Sequence, residues 1–532
     1  MQLVAYGAQD VYLTGNPQVT FFKVVYRRHT NFSVEPIQQV FNGSPDFGRT
    51  VTATINRNGD LITNMYAVVE LKEHTDTVNW GYVRRLGYAL IGETKVEIGG
   101  SKIDEQYGDW LNIWYELSHK VGQERGHAEM IGDTPDLCNL DLTHDAKTLF
   151  VPLNFWFNRF NGLALPLIAL QYHDVRISID YRKFSECVNY EGDKAPATNS
   201  MDSSYLLIDY VYLDSEERKR FAQASHEYLI EQLQFTGSES LSSNNNKYRL
   251  NFNHPSKFLV WGCHLEQFSK PTQYPVYATD GDWAKALDDL AKKIWYIVRM
   301  DTTDAFVAGT AQEPAPFGSI ANELATLVTA QMIDDGANTG DNDGVQTWRD
   351  VVLISNKLTN DALSYTVAEL INGIDTLVYS SKLAEWFSNT LVVAGNDADK
   401  GDAVTVQDHF NYGTNLDCTN NPVNNAKLQL NGHDRFQARE GAYFNYVQPY
   451  QHFSNTPADG INVYSFALKP EDIQPSGTCN FSRIDNATLN VTVKATAKVG
   501  KDLGKDSVVN IFVVNYNVLR VMSGMAGTAY SN

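Results

Sequence analysis

NGHDRFQAREGAYFNYVQPYQHFSNTPADGINVYSFALKPEDIQPSGTCNFSRID, residues 431–485, is the stretch whose reading decides the fold. It opens with a polar turn, Asn431-Gly432-His433-Asp434, and continues into an aromatic run of Phe436, Tyr443, Phe444, Tyr446, Tyr450 and Phe453. A turn at 457–460 precedes a strand over 461–468, and a corner follows at 469–478. Along that strand Ile461, Val463, Ser465 and Ala467 alternate with Asn462, Tyr464, Phe466 and Leu468, so both faces carry apolar groups and both are expected to be covered. Pro449, Pro457, Pro470 and Pro475 fall between strands, where a missing backbone N–H does little harm.

Moving outward, the same pattern occurs earlier in the chain. VEIGGSKIDEQYGDWLNIWY from Val96 parallels LQLNGHDRFQAREGAYFNYV from Leu428: a short alternating strand, a Gly turn, a charged stretch, then aromatics. YLLIDYVYL (205–213) likewise parallels VNIFVVNYNVL (509–519) as a closing strand. The period is far too long for a solenoid, so the chain is a duplication. In the first unit, strands are expected at 20–26, 148–157, 167–172, 175–181 and 205–213, with a hairpin joining 51–55 to 65–71 across Asn58-Gly59 and a short helix carrying Trp110, Leu111, Trp114, Tyr115 and Leu117. The charged segment 215–224 (SEERKRFAQA) has no strand pattern and reads as a linker. The second unit begins with strands at 228–235, 248–252 and 258–263.

From opening strand to Gly turn takes about 80 residues in the first unit and about 200 in the second, too large a difference for an ordinary loop. The second unit therefore carries an insert over about 269–425. In it Trp283, Leu287, Leu290, Ile294 and Ile297 share one helical face, and the connecting stretches (334–344 and 395–402) are acidic and flexible in composition.

The chain has 532 residues, 43% hydrophobic and 12% aromatic, enough for more than one large core. Its formal charge of -20 favours solubility and argues against a sequence-specific nucleic-acid binder. Cys138, Cys187, Cys263, Cys418 and Cys479 are scattered, odd in number and free of any CxxC pair, as in a reducing compartment. No secretory signal or transmembrane run is visible, so folding in a cytosol is expected.

Four stretches are similar to the major capsid proteins of large double-stranded DNA viruses of eukaryotes, the mimivirus, iridovirus and phycodnavirus group. They are LVAYGAQDVYLTGNPQVTFFKVVYRRHTNF at the start, INVYSFALKPED, QPSGTCNFSRIDNATL and NYNVLRVMSGMAGTAYSN. The resemblance covers both ends and most of the middle, leaving out the insert. It implies an all-β chain of two consecutive eight-stranded antiparallel jelly rolls, with a large mixed insert in the second. The expected divisions are an arm (1–18), a first jelly roll (19–214), a linker (215–227) and a second jelly roll (228–532), with the insert as an outward tower. The implied function is structural: a homotrimer forming a pseudo-hexagonal block that contacts neighbouring blocks, minor capsid proteins and an inner membrane, in a virion assembled in the host cytoplasm. A minor capsid or vertex protein of the same fold is the near alternative. A jelly-roll carbohydrate-binding protein is the distant one, and it needs paired carboxylates in a cleft.

No catalytic constellation, cofactor site or metal site is expected. Gly500–Lys505 (GKDLGK) lacks the spacing of a phosphate loop and reads as a hairpin turn. There is no GxSxG, HExxH or HxH, and His119, His127, Cys138 and His144 are irregularly spaced. The aromatic run from Phe436 is expected to serve core and interface packing rather than sugar binding. Asn31, Asn42, Asn480, Asn486 and Asn490 match the glycosylation acceptor pattern, which chance or turn chemistry explains in a chain without a secretory route, unless viral glycosylation follows other rules. Lys23, Arg27, Arg28 and His29 form the basic cluster near the N-terminus and are the candidates for contact with an anionic layer beneath the shell.

Overall fold

The computed structural model describes residues 7–17, 28–138, 141–190, 195–241, 243–265, 277, 392–394, 405–407, 421–494 and 507–530. The strand expected at 20–26 lies outside them, as does most of the insert. Of the insert, one antiparallel pair is described, Val392–Ala394 with Thr405–Gln407.

Two sheets built in the same way recur along the chain. In the first unit one sheet runs β1 (Phe32–Val40), β11 (Met201–Leu213), β3 (Leu61–Leu71), β8 (Lys147–Pro152). The facing sheet runs β2 (Thr50–Thr54), β9 (Val175–Tyr181), β5 (Ile91–Ile98), β6 (Ser101–Tyr107). A small side sheet joins β10 (Val188–Tyr190), β4 (His74–Tyr82) and β7 (Asp141–His144). In the second unit the first sheet runs β12 (His226–Phe235), β24 (Val508–Met522), β15 (Pro255–His264), β21 (Ile461–Ser465), with β13 (Glu239–Ser240), β22 (Cys479–Asn480) and β25 (Met525–Thr528) at its margins. Its facing sheet runs β14 (Asn245–Arg249), β23 (Ala487–Val493), β18 (Val423–Leu430), β19 (His433–Asp434), with β20 (Arg439–Glu440) beside β18. The pair in the insert is β16 and β17.

When the main-sheet strands of each unit are counted one to eight along the chain, both units give the orders 1-8-3-6 and 2-7-4-5, the latter closed in the second unit by the short β19. All pairings are antiparallel. Such an order is a jelly roll: every strand but the fourth is followed along the chain by one in the opposite sheet, and two sheets close over one core. The chain is two jelly rolls in series.

The two Gly turns hold the same place. Gly99 and Gly100 (φ 58° and 80°) join β5 to β6, and Asn431 and Gly432 (φ 51° and 80°) join β18 to β19. Two successive left-handed residues match the twist of a two-residue hairpin, and Asn and Gly adopt that region most readily. The parallel seen at Val96 and Leu428 is therefore a parallel of position in the fold.

Several local expectations need correction. Residues 51–55 and 65–71 do not form a hairpin: β2 pairs with β9 and β3 with β11, in opposite sheets. Asn58-Gly59 carries the chain across, and Gly59 is required because a Cβ there would stand 2.9 Å from Tyr210 Cβ. Residues 167–172 are not a strand; after Pro166 the chain makes a 3-10 turn, Leu167–Ala169. The strand expected over 148–157 ends at Pro152, and the helix Trp156–Arg159 follows. The linker is a helix, Ser215–Gln223, because Asp214 caps it by accepting from Glu217 N. Residues 500–505, read as a hairpin turn, lie outside the described residues. The helix expected around Trp110 is present as Gly108–Ser118.

Candidate assembly surfaces

Arg28 and His29 are exposed just ahead of β1, where the His29 ring meets the edge of Phe32 at 6.3 Å between centroids. Lys23 and Arg27 lie outside the described residues. Ahead of them the arm carries one short helix, Asp10–Thr14, with Val11 and Tyr12 exposed.

Asn31, Asn42 and Asn486 are exposed. Asn480 and Asn490 are partly buried and already engaged. Asn480 Oδ1 accepts from Ser482 N at 3.0 Å, and Asn490 Nδ2 donates to Gln429 Oε1 at 3.0 Å. Those two behave as turn and cross-strand residues.

Each of the four dispersed ligand-type residues is engaged by neighbouring protein groups. His119 and His127 both stack on Tyr115, the latter at 3.6 Å. Burial pulls His127 down to about 3, with Arg85 adding to the shift. His144 is held between the backbone oxygens of Asp136 and Trp80, and Cys138 lies against the oxygens of Val83 and Gly132. Cys138, Cys187 and Cys263 are buried free thiols.

The aromatic run divides. Phe444 fills the second barrel's core, with Phe436 and Tyr443 packed against it. Phe453 joins a different cluster, and Tyr446 and Tyr450 are exposed.

That different cluster is where the barrels meet. Trp110, Ile113 and Leu117 of the 108–118 helix lie on Phe258, Val260, Ile461, Val463, Phe512 and Val514, the outer face of the sheet β12-β24-β15-β21. The inner face of this sheet, with Leu259, Trp261, Cys263, Val509, Ile511 and Val513, belongs to the second barrel's own core. β21 is thus covered on both sides, as its sequence implies. Each large side chain fully buried in this contact contributes roughly 1.5–3 kcal/mol.

Beside it runs a polar seam. Glu231 on β12 holds Arg159 and Lys257, each at 2.6 Å, and the Arg159 guanidinium lies 4.1 Å over the Trp114 ring. Asp104 on β6 accepts from Leu233 N at 3.0 Å and from Gln106 Nε2 at 3.2 Å. Burial pushes the Asp104 carboxyl up to about 7, against the pull of these hydrogen bonds and of Arg159. Lys257 is lowered by burial and raised back in part by Glu231. Sequence reasoning missed this seam; Asp104 and Glu231 sit in charged, alternating stretches like any surface strand. A cleft of about 600 Å³ opens beside it, lined by Trp114, His119, Arg159, Glu231 and Glu471 among others.

Two family models match the chain: the large eukaryotic DNA virus major capsid protein over residues 217–527, and the major capsid protein N-terminus over residues 20–214. Capsid protein 1 of Acanthamoeba polyphaga mimivirus is 43% identical, with 100% of this chain and 99% of that protein covered. The major capsid protein of Phaeocystis pouchetii virus is 42% identical over the same shares. Among solved structures, a quasi-atomic model of the PBCV-1 virus capsid superposes with a TM-score of 0.63 at 33% identity, covering 96% of this chain and all of that one. The Faustovirus major capsid protein, at 12% identity and a TM-score of 0.59, shares the fold. With two jelly rolls of one strand order and relatives matched over its whole length, this chain belongs to the major capsid proteins of large eukaryotic DNA viruses.

Proposed function

We propose that the chain is the major building block of an icosahedral virion shell, and that three copies form its working unit, a pseudo-hexagonal capsomer. The observation that carries this reading is the repeated strand order. One chain supplies two equivalent barrels, so a ring of three supplies six. The role is structural rather than enzymatic, with capsomers packing against neighbouring capsomers and minor capsid proteins after assembly in the host cytoplasm. In the inter-barrel cleft Glu231 is held by two cations and Glu471 accepts from Ser454, so no carboxylate pair stands free there for sugar chemistry. A minor capsid or vertex role is separated by abundance: a major shell protein dominates the protein stain of purified particles.

The working division is an arm (1–18), a first barrel (19–214), a linker (215–227) and a second barrel (228–532), with 269–425 as an outward tower. Lys23, Arg27, Arg28 and His29 then stand on the inner side, where an anionic membrane leaflet or acidic partner gains about 1 kcal/mol per nearby cation. Any glycan would sit on Asn31, Asn42 or Asn486, whose side chains are open. Light scattering on the purified chain is the direct test of the trimer. Three times the 59.6 kDa chain mass is expected, and a single chain mass at micromolar concentration overturns it. For the arm, deleting residues 2–18 or changing Arg27 and Arg28 to Glu leaves trimers intact but costs particles their inner layer; normal particles from both variants remove that role.

A further inference from the structure

A small cavity lies within the polar seam, where the two barrels meet. It gives the centre of a water-sized sphere about 10 Å³, the room that one water molecule needs. The first barrel supplies Asp104 and Gln106 of β6, Trp110 of the 108–118 helix and Asn154 from the segment after β8. The second barrel supplies Glu231 of β12 and Val514 of β24, among others.

Three buried polar atoms of the residues in these walls have no hydrogen-bond partner among the described residues: Gln106 Oε1, Trp110 Nε1 and Asn154 Nδ2. Trp110 is fully buried and Gln106 is 3% exposed. The rest of the network fixes which way the two amides point. Asn154 Oδ1 accepts from Arg159 Nε at 3.0 Å, which leaves Nδ2 as the unmatched end. Gln106 Nε2 donates to the Asn154 backbone oxygen at 2.7 Å and to Asp104 Oδ2 at 3.2 Å, which leaves Oε1. An indole nitrogen donates and does not accept. The set is therefore two donors and one acceptor around one small space. Folded proteins seldom leave such atoms unmatched, because each has given up its hydrogen bonds to bulk water.

The walls also select the ligand. An anion would suit the two N–H groups but would face the carboxylates of Asp104 and Glu231. A metal ion would suit the carboxylates but would face the two N–H groups. Water accepts two hydrogen bonds and donates two, so it matches both kinds of wall.

We propose that this cavity is a binding site for one water molecule, a fixed part of the joint between the barrels, which accepts from Trp110 Nε1 and Asn154 Nδ2 and donates to Gln106 Oε1 and the Asp104 carboxylate. Asp104 has room for it. A carboxylate offers about four acceptor sites, and Leu233 N and Gln106 Nε2 occupy two. The molecule joins three pieces of the first barrel: β6, the 108–118 helix and the segment after β8. Through Asp104 the bridge continues to Leu233 N of β12, and so into the second barrel. It also holds the first turn of the helix at Trp110, the ring that packs on Phe258 and Phe512. Asn154, Arg159 and Glu231 line both this cavity and the 600 Å³ cleft, which gives the water a route to bulk solvent. One held molecule is a hydrogen-bond partner and not bulk solvent, so it leaves Glu231 paired with Arg159 and Lys257. The site belongs to the single chain and does not depend on how many copies assemble.

The test is a density map of the purified full-length protein, from a crystal or by cryo-EM, sharp enough to show ordered solvent. A single peak about 2.7–3.2 Å from Trp110 Nε1, Asn154 Nδ2 and Gln106 Oε1 is expected. A map with no peak there, or with these atoms bonded directly to one another, overturns the proposal. So does a peak about 2.0–2.6 Å from oxygens of Asp104 and Glu231, which identifies a metal ion. Val514→Ile provides a second arm, because its added methyl group reaches into the same cavity. With water bound in the wild type, the variant loses the peak, three polar atoms lose their partner and the melting temperature falls. In a dry cavity the same methyl group fills a void and the melting temperature rises, which overturns the proposal. A fall without a peak in the wild-type map is overpacking and overturns it as well.

Discussion

The first barrel's core is built partly from the second barrel's strands. Ile230 of β12, Leu519 and Val521 of β24 and Ala526 of β25 are packed into the same cluster as Ile62, Met65, Ile177 and Ile208. Among the described residues the second barrel's inner core uses its own side chains, but the outer face of its first sheet is covered by the first barrel's 108–118 helix. The strand plan is shared, and the exchange is not symmetric: one barrel lends strand ends, the other lends a helix. An inner face is fixed by strand order, whereas an outer face is fixed by whatever element happens to pack on it. Two units alike in topology can therefore differ in what they need from their neighbour.

The largest effect that can break this comparison is separation. Residues 228–532 expressed alone leave Phe258, Val260, Phe512 and Val514 bare, and they are expected to aggregate or to bind a hydrophobic dye. A sharp, two-state unfolding transition of that piece would show that the loan of the helix is dispensable. Next comes Trp110→Ala, which empties the centre of the contact and costs about 3–5 kcal/mol by denaturant unfolding. Glu231→Gln comes third. It leaves Arg159 and the almost fully buried Lys257 without their anion, for a loss of about 3 kcal/mol. A change below 1 kcal/mol would mean that water already reaches the seam.

A pH series sharpens the comparison further. The folded Asp104 carboxyl is raised to about 7, above its unfolded value near 3.9. The folded state thus holds a proton that the unfolded chain has released, and stability falls as pH rises from about 4 through 7. Asp104→Asn stays uncharged, so the melting temperature of that variant should lose this part of the slope; an unchanged slope places the titration elsewhere. The smallest effect is that of Tyr450→Ala. With its ring in solvent, the fold should change by less than about 0.5 kcal/mol.

What the sequence made legible was local. Gly99-Gly100 and Asn431-Gly432 mark their turns because two left-handed residues in a row favour Gly and Asn, and the helix around Trp110 shows its spacing within a dozen residues. Strand partners were less legible. Val51 and Ala53 alternate with polar neighbours just as they would in a hairpin with 65–71, and nothing local says that β2 crosses to β9 instead. The capping of the 215–223 helix hung on a single residue, Asp214, just ahead of the charged run. The seam was hidden for another reason: Asp104, Glu231 and Lys257 look like surface charges until a second barrel closes over them.

Cys138, Cys187 and Cys263 have one more consequence. Burial pushes the thiols of Cys187 and Cys263 up to about 12, and that of Cys138 higher still. The thiolate is the form that attacks a disulfide or an oxidant, so burial and the raised pKa both hold these three sulfurs back from reaction. The cohesion of a shell made of such subunits therefore comes from packed surfaces and not from disulfides at these three positions.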